Sequence, residues 1–210
     1  MYCPSHFAET RPEVLHELMT RHPLGTLITQ TDAGLGADHI PLHLVRRAGD
    51  QISLVGHVAR SNPLWQQADG AEVLVVFQGP QAYVSPNWYA SKAEHGRAVP
   101  TWNYAVVHAH GRLRVIDDPA WVRTQLDALT AQHEATQAHP WALSDAPADF
   151  TERLIGLVVG IEIVVNRLQG KWKVSQNQPA SNQASVVEGL RATGCPADAD
   201  MAALVAARAT

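Results

Sequence analysis

The sequence predicts a mainly β protein with flanking helices, its strands antiparallel and numerous enough to close a small barrel. Three observations carry this. From Leu24 the hydrophobic period changes from helical to alternating. The strand-like runs that follow are joined by Asp32-Ala-Gly34-Leu-Gly36 and Ala48-Gly49-Asp50, which suit tight hairpins and are too short for parallel crossovers. Glu72–Gly79 is a nearly unbroken apolar run, as in a strand buried on both faces.

Taken in order, Thr10-Arg-Pro-Glu13 opens a helix, with Thr10 as N-cap, Pro12 in the first turn and Glu13 completing a capping box. Val14, Leu15, Leu18 and Met19 form its apolar stripe, and Pro23 lies beyond its end. Leu24–Thr31, Ala37–Arg46 and Gln51–His57 read as a three-strand meander. Asn62-Pro63 starts a short helix, Glu72–Gly79 is a central strand, and Gln81–Ser85 and Trp102–Val115 flank a loop. Asp117-Asp118-Pro119 caps a helix over 120–133, with Trp121, Val122, Leu126 and Leu129 on its buried side. A short helix follows around Ala148–Leu154. Leu157–Leu168 is a strand that Gln169-Gly170 turns into Lys171–Asn177. Alanine-rich helices near Ala184–Thr193 and Asp198–Arg208 end the chain. The expected division is a barrel domain over 1–177, with inserted helices, and a helical tail over 178–210.

With 210 residues, 46% of them apolar, the chain can fill one large core. No run is long enough to span a membrane. The start of the chain has neither the basic residues nor the apolar run of a signal peptide. Cys3 and Cys195 form no disulfide framework, so a reducing cytoplasm is expected. A net charge of −4, with scattered basic residues, gives no stripe for nucleic acid. Dinucleotide turns, phosphate-binding loops, nucleophile elbows and HExxH are all absent.

The segment Gly79–Gly111 holds two of six tryptophans and three of four tyrosines. Such a loop suits either a planar, hydrogen-bonding ligand or a cap on a barrel end. Arg60 and Ser61, beside a helix start, suit a phosphate, although a lone arginine at a turn is ordinarily solvated. His39 and His43, four apart on one expected strand, share a face, as do His108 and His110. Their plainer reading is polar strand histidines rather than metal ligands. Lys171, Lys173 and Ser175 fall on one strand face and Trp172 on the other. That pattern either grips an anionic aromatic ligand or guards a sheet edge.

Five blocks in order resemble one family: Met1–Phe7, Gly56-His-Val-Ala-Arg-Ser-Asn-Pro-Leu-Trp65, Gln81–Tyr89, Val99-Pro-Thr-Trp-Asn-Tyr104 and Lys171-Trp-Lys-Val-Ser-Gln-Asn177. It is the PaiB-like family of FMN-binding negative transcriptional regulators. The resemblance implies an antiparallel FMN-binding split barrel, related to the pyridoxamine-phosphate oxidases, that dimerises with FMN at the subunit interface. By that analogy Gly56, His57, Arg60 and Ser61 hold the phosphate. Asp38, His39, Ile40, Pro41 and Leu42 run beside the isoalloxazine and offer it backbone groups. Trp102, Asn103 and Tyr104 approach from the far side. Lys171, Trp172, Lys173, Ser175, Gln176 and Asn177 add a tryptophan, cations and amides. Two positions depart from the pattern: Gln178 stands where a basic residue is common, and Asn182 where an acid is.

Three functions follow. The family implies a cytoplasmic homodimer that lowers gene expression, with DNA as a partner that the acidic charge does not favour. The fold also suits a flavin-dependent oxidoreductase, with Tyr89, Tyr104 or His57 as proton donors. A haem-binding protein with strand histidines as axial ligands comes third.

Overall fold

The computed structural model describes residues 1–32 and 34–208. Ala33, in the expected Asp32–Gly36 turn, and Ala209 and Thr210 lie outside the described residues. In chain order the elements are β1 (Ala8–Glu9), α1 (Pro12–Arg21), β2 (Leu24–Thr31), β3 (Gly34–Pro41), β4 (His43–Arg46), β5 (Ile52–Ala59), α2 (Leu64–Gln67) and β6 (Glu72–Val84). They continue with α3 (Lys92–His95), β7 (Thr101–Ile116), α4 (Pro119–Glu134), α5 (Ala148–Ile155), β8 (Val158–Lys173), α6 (Ala180–Ala192) and α7 (Pro196–Ala206).

The strands form one mainly antiparallel sheet in the order β3-β2-β6-β7-β8-β5-β4, with β1 on β8. The two strands that end this order, β3 and β4, are consecutive in the chain, and only Leu42 separates them. Leu42 is 2% exposed, and its N–H donates to Pro23 O at 2.9 Å. This buried corner divides the strand expected over 37–46. It also separates the first histidine pair: His39 lies opposite Thr26 of β2, whereas His43 lies opposite Val55 of β5 and bonds Gln132 Oε1. The two do not share one strand face.

One expected turn, at Gln169-Gly170, is absent, and the strands expected over 72–79 and 81–85 are one, because glycines at both places serve another purpose. β6 runs unbroken through Gly79-Pro80, and β8 through Gln169-Gly170. A Cβ at Gly79 would lie 2.8 Å from Leu18 Cδ1, and one at Gly170 would lie 2.3 Å from Leu15 Cδ2 and 2.8 Å from Glu9 O. Both mark close approach of another chain segment rather than reversal. At Gly170 that segment is β1, with Glu9 opposite.

The helix ends follow local chemistry. Asp118 Oδ1 accepts Ala120 N–H at 2.9 Å and Pro119 fills the first position of α4, a cap worth about 1 kcal/mol. α1 begins at Pro12, so Arg11 precedes it, one residue beyond the expected Thr10 cap. Arg11 N–H and guanidinium both bond the buried Glu9 carboxylate, which fixes this helix start instead.

The chain divides into two compact units. The first comprises Met1–Leu18, Gln78–Val107 and Gln169–Thr210, and the second Met19–Phe77 and His108–Leu168. Val84, Val174, Leu190 and Met201 are buried in the first. Leu27, Leu54, Phe77 and Ile161 are buried in the second.

Candidate functional site

The predicted residues form two sets, one in each unit. In the second unit, Gly56 on β5 packs against the Ile40–Leu42 corner. A Cβ there would lie 2.9 Å from both Leu42 Cδ2 and Pro41 O, so only glycine lets the strands approach so closely. Beyond β5, Asn62 Nδ2 donates to Asp38 Oδ1 at 2.7 Å. These two contacts bring Asp38, His39, Ile40, Pro41 and Leu42 against the segment that carries Gly56, His57, Arg60 and Ser61. Because β3 ends the strand order, one edge of its backbone has no strand partner among the described residues and can offer N–H and C=O groups to a ligand.

The Arg60 guanidinium makes a two-pronged bond to Asp117, with Nη1–Oδ2 at 2.9 Å and Nη2–Oδ1 at 2.5 Å. Its Nε donates to Gly156 O at 2.9 Å, and the group lies 5.9 Å from the Trp65 ring centre. The fork is thus aimed and already engages an oxyanion. Bonding to Asp117 raises the Arg60 pKa, and the same bond lowers that of Asp117. Arg60 is 38% exposed and Asp117 48%, so a phosphate can reach the pair and compete for the fork. The expected helix start at Asn62-Pro63 exists, but α2 is four residues long and Asn62 Oδ1 already accepts Leu64 N–H. Its backbone adds little to anion binding. His57 is turned to α4, where Nδ1 meets Gln125 Oε1 at 2.9 Å.

In the first unit, Asn103 is 1% exposed and donates from Nδ2 to Ser175 Oγ at 2.9 Å. Lys173 Nζ donates to Thr101 Oγ1 and, at 2.7 Å, to Trp102 O. Burial lowers the Lys173 pKa, and the neighbouring Lys171 charge lowers it further. Lys171 is itself buried, donates to Tyr2 O at 3.1 Å and lies 5.3 Å from the Tyr104 ring centre. Of the Lys171–Asn177 block, Lys173, Ser175 and Asn177 line a cavity, whereas Lys171, Trp172 and Gln176 do not. Trp172 is only 4% exposed, and Ser175 lies beyond β8 in left-handed backbone at φ 64°. Gln176 closes the strand end, bonding Trp172 O and Val174 N–H. Trp102 is 49% exposed, its indole fixed by Gln81 Oε1 at 3.1 Å and by an edge contact with Tyr83.

Thr101, Asn103, Lys173 and Ser175 help to wall this cavity of about 580 Å³. Asn103, Lys173, Ser175 and Asn177 were expected at a site, and Tyr89, whose phenol burial keeps protonated, was considered as a proton donor. Sequence reasoning missed Ser91, Arg97, Ser181 and Asn182, which also line it. The one hint was the pair of departures at Gln178 and Asn182. Asn182 Nδ2 donates to Gln178 Oε1 at 3.1 Å, so a neutral amide pair stands where the resemblance suggests a base and an acid. Asn182 also bonds Ser91 N–H and Oγ, tying α6 to the segment before α3. Among the described residues, no three His, Cys, Asp or Glu side chains converge as a metal site, and no helix is long and apolar enough to cross a membrane.

A family model described as "Putative FMN-binding domain" matches residues 1–167. The chain is 33% identical over 244 residues to an uncharacterised protein of Emericella nidulans, with 99% of this chain and 97% of that one covered. It is 30% identical over 206 residues to the protease synthase and sporulation protein PAI 2 of Bacillus subtilis, with 98% and 96% covered. Among solved structures, the FAD and haem binding protein of Mycobacterium smegmatis superposes with a TM-score of 0.59 at 20% identity, over 79% of this chain and 73% of that one. The flavocytochrome Anf3 of Azotobacter vinelandii gives 0.55 at 14% identity, over 79% and 69%. Likeness at those identities shows the fold alone, and that fold is the split barrel.

Proposed function

Because the chain belongs to the PaiB-like FMN-binding domain family that it shares with PAI 2, we propose that it is an FMN-binding split-barrel homodimer acting as a negative transcriptional regulator. The observation that carries the cofactor site is the junction of Asp38–Leu42 with Gly56–Asn62, made by the Asn62–Asp38 bond and the Gly56 contact. It sets an open backbone edge beside an arginine fork. A flavin needs both: donors and acceptors in a row for its pyrimidine edge, and charge-assisted donors for its phosphate. In this reading Arg60 and Ser61 hold the phosphate, His57 adds a donor, and β3 backbone groups orient the ring. FMN itself supplies reversible two-electron chemistry.

The exposed Trp102, with Asn103 and Tyr104 behind it, is the face that a second copy would bring to the flavin. Lys171, Trp172 and Gln176 stiffen that face from within. PAI 2 supports regulation through its name alone, which refers to protease synthase and sporulation. An acidic chain gains no general attraction to DNA, so repression in this reading depends on the flavin-bound dimer and not on non-specific affinity. One observation favours a second reading, a flavin-dependent oxidoreductase. The first unit holds a cavity of about 580 Å³ with convergent polar groups, within the usual ligand-pocket range of roughly 300–1,000 Å³.

The test is an FMN titration followed by absorbance and flavin fluorescence, with Arg60→Ala beside the parent protein, and then retention of promoter DNA with oxidised and reduced flavin. Loss of the charged fork should weaken FMN about 10- to 100-fold, the worth of a hydrogen bond to a charged group. No flavin uptake at micromolar protein would remove the cofactor site. Turnover with a reduced nicotinamide and no DNA retention would replace the regulator with the enzyme.

A further inference from the structure

We infer that the cavity in the first unit binds the oxyanion of a small polar molecule, a carboxylate or a phosphate monoester, separately from the flavin. Lys173 supplies the first argument. Its ammonium is half-buried and, among the described residues, bonded only to the neutral Thr101 hydroxyl and Trp102 carbonyl. Lys171 behind it likewise bonds a neutral carbonyl, and neither lysine forms an ion pair among the described residues. Partly desolvated cations without an anion are costly, and a bound oxyanion relieves them.

The start of α6 is the second argument. This 13-residue helix has Pro179 at the cap position, no side-chain cap and no acidic residue in its first turn, and Ser181 and Asn182 there line the cavity. Uncapped N–H groups at a helix start favour an anion. Third, the Ser175 hydroxyl lines the cavity at 3% exposure, accepts from Asn103, and has no acceptor for its own proton among the described residues. It is a buried hydroxyl in the cavity wall.

Glu94 and Arg97 also line the cavity, both exposed and of opposite charge, which leaves Lys173 as the dominant interior charge. A bare ion does not need about 580 Å³, and Val99, Pro100 and Pro179 offer apolar surface to a short carbon body.

Calorimetric titration with inorganic phosphate, and separately with malonate, tests this on flavin-free and FMN-loaded protein. At least one probe should bind saturably in both forms, and which one binds tells phosphate from carboxylate. In the flavin-free protein, Lys173→Met should weaken binding at least tenfold. Ser175→Gly keeps the left-handed backbone but removes the acceptor of Asn103, so circular dichroism checks its fold, and it should weaken binding several-fold. No binding of either probe, or full affinity in both variants, overturns the proposal. So does loss of binding on FMN loading, which would make the cavity part of the flavin site while leaving the cofactor reading intact. If FMN is never taken up but Lys173-dependent binding persists, this inference stands and the cofactor reading fails.

Discussion

His108 shows how one side chain's surroundings set a pH response. Burial lowers its pKa, and the charge of His110, two residues along β7, lowers it further. The folded protein therefore binds this proton less readily than the unfolded chain does. Below the ordinary histidine value of about 6.5 the unfolded state takes up the proton first, so stability falls as pH drops through that value and levels off only below the folded pKa. Melting temperatures measured from pH 7.5 to pH 5 should fall more steeply for the parent protein than for His108→Gln. Parallel curves would mean that His108 does not contribute. The histidine pair was legible in the sequence as two same-face residues, but its burial was not, because alternation marks a face without saying what covers it.

At the scale of elements, small residues decide how closely segments meet. Gly189 lies inside α6, where glycine usually costs about 1 kcal/mol relative to alanine. Here a Cβ would lie 2.4 Å from Trp88 Cδ2 and 2.5 Å from Cγ, so the helix uses the glycine to seat the indole. Gly189→Ala should lower stability by about 1–3 kcal/mol, the cost of overpacking, against the gain in helix propensity. A shift of the urea midpoint to lower concentration checks this, and a shift upward would show that Trp88 moves aside freely. Gly79 and Gly170 teach the same lesson about reading strands. Glycine beside proline or glutamine resembles a turn in sequence, yet both lie within continuous strands because Leu18 and Leu15 press on them.

At the scale of the whole chain, the C-terminal helices are part of a core. α7 buries Met201, Ala202 and Val205, each at 1% exposure or less, and packs on α6. Arg208 bonds Glu9, a carboxylate only 3% exposed that also holds Arg11 ahead of α1. Truncation after Gly194 should therefore cost roughly 3–6 kcal/mol, the worth of burying a methionine and a valine. The readout is thermal melting with limited proteolysis, and an unchanged melting temperature would show that the tail is dispensable.

The sequence by itself determined the antiparallel class, the bounds of β2, the capped start of α4, the central apolar strand and, through five residue blocks, the FMN-binding family. Those properties are local: period, cap chemistry and residue order are written in neighbouring positions. Tertiary structure decided the corner at Leu42, which parts His39 from His43, and the burial of Trp172 at 4% exposure. It also decided the cavity, whose walls come from the segment before β7, the end of β8 and the first turn of α6. Residues so far apart in the chain acquire a shared chemistry only when packing brings Asn103 to Ser175 and Asn182 to Ser91.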